Sequence, residues 1–145
     1  MLRASLILIQ TGCASRRSPP VDSVAILTST YRVAVYDAGV DAFRAKRYGL
    51  ARRYWERAIE VGDQDACSNL GYLLYYGFGG PPDLAAAFSH AVAAKRLANA
   101  AGAADAAVAR DADALISKLR PRLSPAVEDS ARSRGERWAR LDPAP

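Results

Sequence analysis

No helix runs through Gly77-Phe78-Gly79-Gly80-Pro81-Pro82. Proline removes a backbone donor and collides with the preceding turn, and glycine is costly to order, so this stretch has to be a turn. Asn69 to Tyr76 before it reads as the end of one helix. Asp83 after it opens another, as an N-cap. Alanine-marked amphipathic segments frame the break, Ala51 to Ala58 on one side and Ala87 to Ala94 on the other.

These segments repeat. Ala51 and Ala87 are 36 residues apart, as are Ala58 and Ala94, whereas Gly39 and Gly71 are 32 apart because the glycine-proline turn adds four residues to the second hairpin. Periods of this size mark stacked helix-turn-helix units. The recurring positions are small because the two helices of a hairpin approach closely there. Gly71 follows Ala51 by 20 residues, so a third unit should carry its small residue 20 after Ala87, at Ala107.

Helical periodicity predicts six helices, near residues 23–46, 48–61, 64–77, 83–101, 103–120 and 124–140. The first places Ala34, Val35, Ala38, Ala42 and Ala45 on one face, with Phe43 alongside. The second carries Ala51, Tyr54, Trp55, Ala58 and Ile59, and Gly62-Asp63 stops it. The third buries Ala66, Cys67, Leu70 and Leu74; the fourth turns Leu84, Ala87, Phe88, Ala91 and Ala94 inward. The fifth has Ala107, Val108, Leu115, Ile116 and Leu119 as its apolar set and ends at Pro121. Ser124-Pro125 opens the last, serine as N-cap and proline at the first helical position. Its stripe of Val127, Ala131 and Trp138 suits a helix that caps the exposed end of a stack. Alanine supplies much of the 50% apolar content, and alanine is the best helix former, so the fold class is all-α.

From about Tyr36 to Ala107 the pattern resembles the Sel1-like subclass of tetratricopeptide repeats. Leu70-Gly71, Gly77, Gly79 and Asp83, then Ala87 and Ala94, match that family's leucine-glycine, paired-glycine turn, aspartate and paired-alanine positions in order. The first unit is nearer an ordinary tetratricopeptide repeat, with Gly39, Ala51, Trp55 and Ala58 in place. Gly80 departs from the family's valine, and His90 from its frequent aromatic. The resemblance implies a short right-handed α-α solenoid over residues 23–140, about two and a half repeats. It also implies binding to another protein or peptide on a concave face lined by the first helix of each hairpin. On that face the matching positions are Val40 and Arg44 in the first unit and Tyr72 and Tyr76 in the second, with Asp111 at the margin. Tyrosine offers large contact area at low entropic cost. Tyr75 has two readings, part of that surface or packed between units.

Residues 1–12 look like an export signal. Arg3 supplies charge and Leu6 to Ile9 a short apolar core. Gln10-Thr11-Gly12-Cys13 resembles a lipobox, which implies lipid attachment at Cys13, residues 13–22 as a tether, and a place on the periplasmic side of a bacterial envelope. Gln10 stands where leucine is usual. The competing reading is an unmodified cytoplasmic N-terminus. No stretch approaches the ~20 apolar residues of a membrane span. Residues 141–145 read as a frayed tail.

Candidate chemistry is sparse. His90 is the single histidine, which removes most catalytic triads, and on its helix face it reads as a packing or surface residue. Cys67 reads as a small buried hydrophobe. The Gly-rich turn lacks the lysine and Ser/Thr of a phosphate loop, and Asp63-Gln64-Asp65 lacks the rest of a calcium loop and reads as a cap. The net charge of +5 is scattered, with no aromatic-interleaved basic stripe, so no nucleic acid is expected. The expectation is a non-enzymatic adaptor without cofactor or metal. An envelope hydrolase is the enzymatic alternative, and no nucleophile-base pair supports it.

Overall fold

The computed structural model describes residues 21–102 and 105–140, with side chains from residue 28 onward. The proposed signal, Cys13 and the terminal tail lie outside these residues. The described chain is all-helical: α1 (Val21–Arg44), α2 (Tyr48–Glu60), α3 (Gln64–Tyr76), α4 (Leu84–Ala101), α5 (Ala106–Leu119) and α6 (Pro125–Trp138), with a 3-10 turn at Arg120–Arg122 between the last two. Successive helices from α1 to α5 pack on one another, and α6 packs on α4.

Local chemistry sets most of the ends. Asp63 caps α3 by accepting from the Ala66 N–H at 2.7 Å, and Asp83 caps α4 by accepting from Ala86 N–H at 2.9 Å. Gly62 follows α2 at φ 80° and Gly102 follows α4 at φ 90°. Ser124 holds the extended backbone of an N-cap, but its side chain makes no capping bond; Pro125 alone marks the start of α6. Helix α1 begins at Val21, so the expected tether loses its last two residues to the helix.

The core follows the anticipated small residues. Ala51, Ala58, Ala66, Leu70, Ala87, Phe88 and Ala91 are buried together, with Cys67, Ala93, Ala94 and Ala112 forming an adjoining cluster. Two glycines set the closest approaches between helices. A Cβ at Gly39 would overlap the Trp55 indole, which fills the space beside α1 there. A Cβ at Gly135 would overlap the Ser89 carbonyl oxygen and lie 2.9 Å from Val92 Cβ, so α6 rests on α4 almost backbone to backbone.

Three sequence expectations fail here. Ala107 is exposed, and the small buried residue of α5 is Ala112. Helix α4 runs 18 residues against 13 in α2, so α5 starts later than the repeat arithmetic allows and Ala107 falls in its outward-facing first turn. Ala34 and Ala45 are exposed because the inward face of α1 centres on Gly39 and Ala42. Val127 is exposed too, because the stripe that meets α4 is Ala131, Gly135 and Trp138.

Candidate functional site

The glycine-rich turn builds one wall of the site. Gly77 at φ 70° ends α3, and the N–H groups of Gly77 and Phe78 both donate to the Leu73 carbonyl. Asp83 N–H then donates to the Leu74 carbonyl at 3.0 Å, which folds the start of α4 back on α3. A Cβ at Gly79, itself at φ 82°, would lie 2.8 Å from Tyr48 Cβ. The turn therefore presses on the start of α2 and delivers Phe78 into an aromatic cluster. Its ring lies 5.4 Å from that of Phe43 and 5.2 Å from that of Tyr48.

Between α1 and α3 runs a groove of about 440 Å³. Val40 and Arg44 line it from α1, and Tyr72 and Tyr76 from α3. All four expected binding residues thus meet in one cleft. Tyr36, Phe43, Trp55, Asn69, Leu73 and Phe78 complete the lining. Asn69 Nδ2 donates to the Tyr36 hydroxyl at 3.1 Å and ties the two walls together. The Tyr72 hydroxyl donates to the Asp111 carbonyl at 3.3 Å, which puts Asp111 at the margin. Tyr72 and Tyr76 stack at 6.3 Å, and Tyr76 is 57% exposed. Tyr75 is half-buried against the core, edge-on to Tyr76, and the Arg122 guanidinium lies 5.8 Å from its ring centre.

Burial, only partly offset by the Asn69 hydrogen bond, raises the Tyr36 pKa above the usual phenol value. Burial and the nearby Asp111 do the same for Tyr72. Both phenols stay protonated at neutral pH. Arg44 is 77% exposed and sits 3.8 Å from an equally exposed Asp41, a pair too solvated to hold it in place.

Sequence reasoning overlooked Tyr36, Asn69 and Phe78 as site residues. The first two were accessible by extending the helical stripes backward, from Val40 by four residues and from Tyr72 by three. Phe78 depends on the turn's tertiary seating on Tyr48, which no local pattern encodes.

A second depression of about 560 Å³ lies between the turn and the start of α2, where Arg52 and Asp83 are the charged residues of its lining. The candidate bases and nucleophiles lie elsewhere, inside the protein. His90 is 8% exposed, its ring stacks on Trp138 at 4.4 Å, and its Nδ1 has no hydrogen-bond partner among the described residues. Burial, helped by the Arg52 charge, lowers its pKa to about 4. Burial likewise pushes the Cys67 thiol well above its normal range, so at neutral pH it is not the thiolate that nucleophilic chemistry needs. Among the described residues no three His, Cys, Asp or Glu side chains group to hold a metal, and no helix is long and apolar enough to cross a membrane.

No family model, curated protein or solved structure matches the chain.

Proposed function

We propose that this protein is a non-enzymatic interaction module, an adaptor that holds a peptide segment of another protein in the α1–α3 groove. One observation carries the reading. Val40, Arg44, Tyr72 and Tyr76, chosen from two sequence units 32 residues apart, line a single cleft rich in exposed aromatic surface. Central aromatic and arginine side chains are where binding energy concentrates in such surfaces. In this reading the helices form a short right-handed solenoid of the Sel1-like type, with α6 as its cap. Cys13 carries a lipid that holds the module at the periplasmic face of a bacterial envelope.

The binding face is tested by capture from detergent-solubilised membranes with three immobilised forms, wild type, Tyr76→Ala and Arg53→Ala. A partner retained by wild type and Arg53→Ala but lost by Tyr76→Ala supports the groove; the reverse pattern moves the working surface to α2. Palmitate labelling with a Cys13→Ala control tests the anchor separately. Labelling that is absent from wild type favours the cytoplasmic version of the same adaptor.

A further inference from the structure

The lining of the groove narrows the chemistry of its occupant. A helix is about 10–12 Å across with its side chains and needs a broad apolar trough. This cleft, at about 440 Å³, has room for about one turn of a helix, and most of its lining is aromatic. Adding a strand needs a free sheet edge, and the described residues contain no strand. What the groove does offer is a row of aromatic rings, Tyr72 to Tyr76 at 6.3 Å and Tyr76 to Phe78 at 5.8 Å. A polyproline helix advances about 9 Å in one three-residue turn, so each ring-to-ring step falls within one such turn.

The polar groups agree with that shape. Arg44 is a donor only, and its side chain is 77% exposed at the edge of the cleft. The Tyr76 hydroxyl is exposed, the Asn69 amide is engaged with Tyr36, and no carboxylate lines the cleft. The lining therefore carries one cation and no anion. A proline-rich segment is the complement. It lacks N–H groups, presents carbonyl acceptors and apolar rings, and is already extended, so little entropy is lost in docking.

We propose that the occupant is a proline-rich segment of a partner protein in the polyproline conformation, its pyrrolidine rings laid against the exposed surfaces of Tyr76 and Phe78 beside Tyr72, with an acidic side chain facing Arg44. The proposal rests on the peptide-binding reading of this groove and specifies its ligand class.

The test uses an acetylated, amidated octapeptide of proline pairs flanking one glutamate, titrated by calorimetry, and a random twelve-residue display library panned on the folded protein. The octapeptide is expected to bind, and an equal-length peptide with alanine in place of proline is expected to bind at least about tenfold more weakly. Tyr76→Ala, with its ring on the surface and its fold checked by circular dichroism, should weaken the octapeptide about tenfold. Arg44→Gln should weaken the glutamate peptide while leaving its glutamine counterpart unchanged. Arg53→Ala should change neither. Equal binding of proline and alanine peptides overturns the proposal. So does a library that enriches proline-free sequences in a Tyr76-dependent way, although peptide binding in the groove then stands. A library that enriches the same sequences on wild type and Tyr76→Ala, or none on either, removes both.

Discussion

Gly39 and Gly71 hold matching places in the two helical hairpins, yet each admits its neighbour by a different route. At Gly39 the missing side chain makes room for another one, the Trp55 indole. At Gly71 it makes room for a helix. A Cβ there would lie 3.4 Å from the Ala87 carbonyl oxygen and 3.7 Å from the Ala91 nitrogen, with the flexible end of Leu115 at 3.2 Å. The first seam is one large ring filling one gap. The second is a run of alanines against backbone. A seam built on one ring fails when that ring is cut, whereas a seam of many small contacts yields gradually.

Trp55→Ala puts the first seam to its hardest trial. The indole is 3% exposed, and its loss should cost roughly 3–5 kcal/mol in urea unfolding, because rigid helices cannot close over the void. A midpoint unmoved by this change would show that the Gly39 seam carries little of the stability.

Acid should select the other half of the molecule. The His90 pKa falls from 6.5 unfolded to about 4 folded, so the unfolded chain binds the extra proton between those values. The stability it contributes is complete above pH 6.5 and is lost as the pH drops toward 4, on the order of 3 kcal/mol. Burial raises Asp63 and Asp65, which has the opposite sign and offsets part of the loss at the acid end. His90 stacks on Trp138 of α6, so Trp138 fluorescence in a Trp55→Phe background should change in acid before Trp55 fluorescence does in Trp138→Phe. Coincident changes would mean that the halves yield together. Replacing His90 with Gln should remove most of the slope.

Gly39→Ala and Gly71→Ala sharpen the contrast with smaller effects. Either gains up to about 1 kcal/mol of helix propensity. At Gly39 the methyl must displace the indole, and a net loss of about 1–2 kcal/mol is expected. At Gly71 only the end of Leu115 has to give, so the net change should stay within about 1 kcal/mol of zero. Equal losses in thermal melts would erase the distinction between the seams.

Features encoded within a few residues were legible in the sequence. Asp63 and Asp83 cap where the pattern puts them, and Gly77 and Gly79 take the left-handed backbone the turn requires. The groove's four named residues came from the family resemblance, which implies the concave face, and from the 32-residue offset that matches Val40 and Arg44 to Tyr72 and Tyr76. What stayed hidden was which element meets which across the chain. Alanine tolerates either side of a helix, so Ala34, Ala45 and Ala107 looked as core-like as Ala42, and Ala112 went unmarked. Nothing in the pattern of α6 singles out Gly135, and only its contact with Ser89 shows why a side chain is missing there. The pairing of His90 with Trp138 joins residues far apart in the chain and leaves no periodic trace.

Helix α1 is also a ruler. Its 24 residues make a rod of about 36 Å at 1.5 Å per residue, and the groove lies along the stretch from Tyr36 to Arg44. Val21, at the start of the rod, thereby lies about 22 Å along the axis from Tyr36, the nearest edge of the cleft. A module tethered to a surface at that end would present its aromatic row clear of the surface, with the stand-off set by helix length. Lengthening or shortening α1 by a whole number of turns between Val21 and Tyr31 would alter that reach while preserving the groove's orientation on the helix.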